Sequence, residues 1–98
     1  MRVVNRNYES CNLNIVRPSE WGNPFTHLGY GTGVNLVKTR EEAIARYAEL
    51  FYSREYADKR RRLLDFPADT KLGCCCSPKS CHGEIIAGYF NAKQIGLI

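Results

Sequence analysis

At 98 residues and 44% hydrophobic content, the chain is sized for one α/β domain with a real apolar core and needs no disulfide staples. No apolar run approaches the ~18 residues of a membrane span and no signal-peptide pattern opens the chain, so a cytoplasmic setting is expected and no membrane partner. A formal net charge of +4 leans toward a polyanionic partner, nucleotide or nucleic acid, without amounting to a nucleic-acid signature.

In chain order, Arg2-Val3-Val4-Asn5 is a short apolar start suited to a buried strand. Leu13 and Ile15 alternate with Asn12, Asn14 and Val16 in a mixed strand pattern that Pro18 ends. Residues 19–33, with Gly22, Pro24, Gly29, Gly31 and Gly33, read as a loop longer than most compact domains carry, and such loops are usually functional or disordered. Thr39-Arg40-Glu41-Glu42 fits a capping box, and Ile44, Tyr47, Ala48 and Phe51 follow at helical spacing. A second helix over residues 55–64 sets Tyr56, Leu63 and Leu64 against the basic run Lys59-Arg60-Arg61-Arg62, and Phe66-Pro67 closes it. That run is either a solvated helix face or a nucleic-acid contact. Residues 71–76 read as a strand, and a third helix runs from Cys81 or His82 to about Ala92 on the stripe Ile85, Ile86, Tyr89, Phe90.

Residues 73–84 hold four of the five cysteines and one of the two histidines. In a reducing compartment such clustering points to metal or thiol chemistry, and an odd cysteine count does not suit a pure disulfide framework. If the strand reaches residue 76, Cys74 and Cys76 share a face and Cys75 turns to the other, as a small core residue. Three readings then stay open. Cys74, Cys76, Cys81 and His82 could make a Cys3His zinc site, although the spacing is poor for one. Cys81 could be an exposed reactive thiolate at a helix N-terminus, with His82 as acid, base or orienter. Or the cysteines are packing residues. Gly83 fits close approach of a ligand to the backbone, and the helix start offers amides to an anion.

A second constellation lies upstream, in Arg17, Pro18, Ser19, Glu20, Trp21, Gly22, Asn23, Pro24 and Phe25. An arginine beside two aromatic rings and an Asn is a natural way to hold a base and a phosphate together. The alternative is an ordered loop whose Trp and Phe plug the edge of the core.

Together these segments resemble a small uncharacterised family, a domain of unknown function common in bacteriophages and bacteria. The resemblance rests on Val3-Val4-Asn5-Arg6, the Arg-x-Ser-x-Trp-Gly-Asn-Pro-Phe stretch from Arg17 to Phe25, Thr39-Arg40-Glu41-Glu42, and Leu-Gly-Cys-x-Cys-x-Pro-x-x-Cys-His-Gly-acidic from Leu72 to Glu84. Where that family typically has an aromatic residue between the first two cysteines, this chain has Cys75. The resemblance implies one Cys/His site at a strand–helix junction, in the host cytoplasm if the protein is phage-encoded, and brings no reaction with it.

The expectation is therefore a small α/β sandwich, a short sheet with about three helices, over residues 1–98. Its binding surface should lie at the carboxyl end of the 71–76 strand. Asn5, Arg6, Arg17, Ser19, Gly22 and Asn23 would face Cys74, Cys76, Cys81, His82 and Gly83 there. In the leading reading a nucleotide, nucleoside or base is bound or processed: Arg6 and Arg17 hold phosphate, Trp21 or Phe25 stacks, and Cys81 with His82 carries the chemistry. The alternative is a non-catalytic binding module for a host protein or nucleic acid, with zinc on Cys74, Cys76, Cys81 and His82.

Overall fold

The computed structural model describes residues 1–27, 35–77 and 79–98. Gly29, Gly31 and Gly33 of the expected loop, and Pro78, lie outside the described residues. In chain order the strands are β1 (Arg2–Asn5), β2 (Leu13–Asn14), β3 (Phe25–Thr26), β4 (Asn35–Leu36) and β5 (Lys71–Cys74). The helices are α1 (Arg40–Phe51), α2 (Ala57–Leu63), entered through a one-turn 3-10 helix at Arg54–Tyr56, and α3 (Gly83–Gln94). This is a small mixed α/β fold, as the sequence predicts. No helix among the described residues is long and apolar enough to cross a membrane.

The main sheet has β5 in the centre and β1 and β2 on its flanks, all parallel. Its register sets Val3 beside Leu72, Asn5 beside Cys74, and Leu13 also beside Leu72. Period-2 alternation then puts Val3, Leu72, Cys74 and Ile15 on one face, where α3 lies. The approach there is close: a Cβ on Gly83 would stand 2.8 Å from Ile15 Cδ1 and 2.9 Å from Val3 Cγ2. Leu72, Ile15, Ile86, Phe90, Tyr47, Phe51 and Leu63 are fully buried and form the core between sheet and helices.

The opposite face is closed by the connection between β1 and β2. Because β5 lies between those strands, residues 6–12 must cross over it, and Cys11 lands on Gly73. A Cβ there would come within 2.4 Å of Cys11 Sγ and 2.8 Å of Cys11 Cβ. Gly73→Ala is accordingly expected to cost about 1–3 kcal/mol of stability, the usual range for overpacking. Adding Cys11→Gly should recover part of that loss in a urea titration. A Gly73→Ala protein as stable as the parent would show that the crossover does not press on the strand.

The first two helices follow their sequence signals with one adjustment each. Thr39 caps α1 by accepting the Glu42 amide at 3.0 Å, while the Glu42 carboxylate accepts the Lys38 amide at 3.2 Å, one residue before the cap. The expected helix over 55–64 is split by its 3-10 entry turn. Its basic run is engaged within the molecule. Arg60 donates to the carbonyls of Phe51 and Ser53 at the end of α1, and Arg62 pairs with Glu20 at 2.8 Å and Asp58 at 3.2 Å. Arg61 pairs with Asp58, and Lys59 donates to the Glu20 carbonyl while lying over the Tyr56 ring. The run holds a helix end and the 17–25 loop.

Candidate functional site

A pocket of about 390 Å³ opens at the carboxyl end of β5. Three segments meet there: Cys74, Cys75 and Cys76 leaving the strand, Ser80, Cys81 and His82 entering α3, and the 16–27 loop laid over both. A fourth wall comes from the first turns of α1, where Arg40, Ala43 and Ile44 at i, i+3 and i+4 share one helix face. The carboxyl end of a parallel strand is where α/β folds leave such openings.

His82 joins the loop to the junction. Its Nε2 lies 3.0 Å from the carbonyl oxygens of both Ile15 and Trp21. Carbonyl oxygens only accept, so Nε2 carries the proton and is shared between them, which leaves the lone pair on Nδ1. The ring also stands edge-on to Tyr47 at 4.8 Å, and the Tyr47 hydroxyl donates to the same Trp21 carbonyl at 3.3 Å. Burial lowers the His82 pKa from its ordinary 6.5 to about 4, helped by the nearby Arg17 charge and opposed by the two carbonyls. The imidazole is neutral at neutral pH.

The loop between those two carbonyls is internally fixed. Its Arg17–Pro18 peptide bond is cis. Ser19 Oγ accepts the Trp21 amide, the Gly22 amide donates to the Ser19 carbonyl, and a Cβ on Gly22 would stand 3.0 Å from Arg17 Cγ. Asn23 donates through Nδ2 to the Ala43 carbonyl of α1 and accepts the Phe25 amide on Oδ1. Arg17 donates to the Asn23 carbonyl. Trp21 turns inward and is 3% exposed, so it belongs to the core and presents no ring face to a ligand. Phe25 is the aromatic ring of this loop that lines the pocket.

The thiols differ from the sequence expectation. Cys81 is buried rather than exposed, and its Sγ lies 3.6 Å from that of Cys74, which is also buried. Burial pushes the Cys81 thiol up to about 12, the Gly83 amide pulls it down, and the Cys74 and Cys76 sulfurs push it up again. Cys75, expected in the core, is exposed, because β5 ends at Cys74 and the alternation stops with it. Cys76 is half-buried on the pocket wall. The α3 amides, expected to await an anion, are already engaged: Gly83 donates to Cys81 Sγ, Glu84 to the Cys81 carbonyl, and Ile85 and Ile86 to the His82 carbonyl.

Arg17, Asn23, Phe25, Cys74, Cys76, Cys81 and His82 are thus brought to one pocket, and other expected residues are not among its lining. Asn5 sits just behind, donating to the Ser77 carbonyl and steadying the turn after β5. Arg6 lies on the crossover side, with its Cβ facing Gly73 and its guanidinium bonded to Asn14, because it follows Asn5 by one position. Ser19 acts through its Oγ and carbonyl within the loop, and Gly22 and Gly83 act through their amides. Val16, Thr26, His27, Arg40, Ala43, Ile44 and Ser80 also line the pocket. Arg40 could have been found, since it shares a helical face with Ala43 and Ile44 just past the cap. Among the described residues, no three His, Cys, Asp or Glu side chains converge as a metal-ligand set.

The comparisons with known proteins agree with the phage-type resemblance. A curated relative, the "Uncharacterized 12.4 kDa protein in nrdA-td intergenic region" of Enterobacteria phage T4, is 35% identical over 91 residues, covering 92% of this chain and 77% of the relative. No solved structure matches. Residues 2–92 match the family described as Domain of unknown function (DUF4326), and the chain belongs to that family.

Proposed function

We propose that this protein binds a small anionic ligand with a planar group, a nucleotide before a nucleoside or free base, in the pocket at the end of β5. The supporting observation is the composition of its wall. Arg17, Arg40 and His27 supply cationic or titratable nitrogen, Phe25 supplies a ring, Val16 and Ile44 supply apolar surface, and none of the described lining residues is a carboxylate. A pocket of about 390 Å³ is of the size that small ligands occupy. Arginine forks hold phosphate oxygens in pairs, and an aromatic face accepts a base.

In this reading Cys81 and His82 shape the pocket. A thiol held near 12 and an imidazole with a pKa near 4 are both neutral at pH 7, so neither is primed as a thiolate–imidazolium pair. His82 instead fixes the loop that carries Arg17 and Phe25. The experiment is a calorimetric titration with a nucleoside monophosphate, its nucleoside and its base. Saturable binding of the phosphate form is expected, with Arg40→Ala and Phe25→Ala each weakening it about tenfold, or about 1.4 kcal/mol. No binding by any of the three, or binding indifferent to both substitutions, would refute the proposal.

A further inference from the structure

We propose that Cys74 and Cys81 form a dithiol–disulfide couple that exchanges with low-molecular-weight disulfides entering the pocket. The inference stands on the position of the two sulfurs and does not depend on the nucleotide reading.

Cys74 is the last residue of β5 and Cys81 lies two residues before the start of α3. Cys74 and Cys81 are among the residues that line the pocket, with 2% and 5% of their surface exposed, and their sulfurs are 3.6 Å apart with the Cys81 thiol donating to Cys74. A disulfide bond is about 2.0 Å long, so bond formation needs a modest approach of sulfurs already in contact. The backbone is arranged around the pair: the Ser77 amide donates to Cys74 Sγ at 3.4 Å and the Gly83 amide to Cys81 Sγ at 3.3 Å. Two amides and one thiol therefore converge on two sulfurs at the wall of an open pocket. Cys75 and Cys76 lie on the turn between the two partners and do not share this arrangement.

The order of attack follows from the same contacts. Cys74 Sγ accepts from both the Cys81 thiol and the Ser77 amide, so Cys74 takes the part of attacking sulfur and Cys81, the donor, that of resolving sulfur. In the first step the Cys74 thiolate attacks one sulfur of an external disulfide R–S–S–R. A Cys74–S–S–R bond forms, the external S–S bond breaks, and one R–S⁻ leaves and takes up the proton that Cys74 released. In the second step Cys81 sulfur attacks Cys74 sulfur, R–S⁻ leaves with the Cys81 proton, and the Cys74–Cys81 bond remains. The protein loses two electrons and two protons, and the external disulfide becomes two thiols. The new bond closes the chain between positions 74 and 81 into a covalent ring that carries the pocket-lining residues Cys75, Cys76 and Ser80.

The test is a cysteine map of the native protein after exposure to glutathione disulfide, with free thiols alkylated in denaturant. Of five cysteines, three are expected to alkylate, and digestion should yield a peptide joined through Cys74 and Cys81. A Cys76→Ser protein should give the same link, and Cys81→Ser should stop at a mixed disulfide on Cys74. The proposal is overturned if all five thiols alkylate, if glutathione is found only on Cys75 or Cys76, or if the link joins other cysteines. The map of the unsubstituted protein decides the question even where Cys81→Ser does not fold.

Discussion

His82→Phe is expected to destabilise the protein by about 2–4 kcal/mol, the range for stranding buried polar groups in an otherwise filled site. Phenylalanine roughly fills the ring's volume beside Tyr47 but has no N–H. The Ile15 carbonyl then loses its donor, and the Trp21 carbonyl keeps only the Tyr47 hydroxyl. His82→Gln, which retains an amide donor, should lose less. Urea denaturation of the three proteins at pH 7 provides the measurement, with the midpoint as readout. The effect should also reach the pocket, because the two carbonyls bracket the segment that presents Arg17. Equal midpoints for His82→Phe and its parent would show that the shared hydrogen bond contributes nothing to the fold.

Acid should reveal the same contact. In the unfolded chain His82 has its ordinary pKa of 6.5, and in the folded protein burial lowers this to about 4. The depressed value means that the unfolded state takes up the proton first as pH falls. The stability associated with neutral His82 is therefore complete above pH 6.5 and is lost progressively down to about pH 4. The shift corresponds to about 3 kcal/mol over that window. Glu9 and Asp58 are also held below their ordinary values, the first by bonds to Arg2 and Lys71 and the second by bonds to Arg61 and Arg62. Their contributions likewise fade in acid, but both survive in His82→Phe. The difference between parent and variant across pH 7 to 4.5 thus isolates the histidine: it should narrow as pH falls. A constant gap would mean that His82 is not buried in its neutral form.

Much of this architecture was legible where local chemistry decides it. Val3 and Val4 mark β1, Thr39 and Glu42 mark the start of α1, and the spacing of Ile85, Ile86, Tyr89 and Phe90 marks α3 on its correct face. The meeting of Cys74 and Cys76 with Cys81 and His82 is also legible, because a strand–turn–helix junction returns its ends to one place. Arg17 and Asn23 instead reach it through tertiary contacts, the His82 bonds to the Ile15 and Trp21 carbonyls and the Asn23 bond to the Ala43 carbonyl. What failed was whatever depended on where an element stops or what covers it. The alternation placing Cys75 in the core assumed a strand to residue 76; β5 ends two residues earlier. Trp21, in a Gly/Pro loop, takes the core-plugging alternative: it is 3% exposed, and its carbonyl accepts from His82 and Tyr47. Arg6 follows Asn5 by one position and successive extended residues face opposite ways, so it lies on the crossover side and not at the pocket. The central place of β5 has no local signature at all.

That central place has a kinetic consequence. β1 and β2 pair with β5 and not with each other, and Arg2 must find Lys71 across more than two-thirds of the chain. As the chain emerges from a ribosome, neither early strand of this sheet has its hydrogen-bonding partner until residues 71–74 are out. Contacts of such long sequence separation close late and slow the search. The pocket, whose walls are the far end of that same strand and the loop after β2, is consequently among the last features to form, and a nascent chain halted before Lys71 carries every arginine described here but no place to present them.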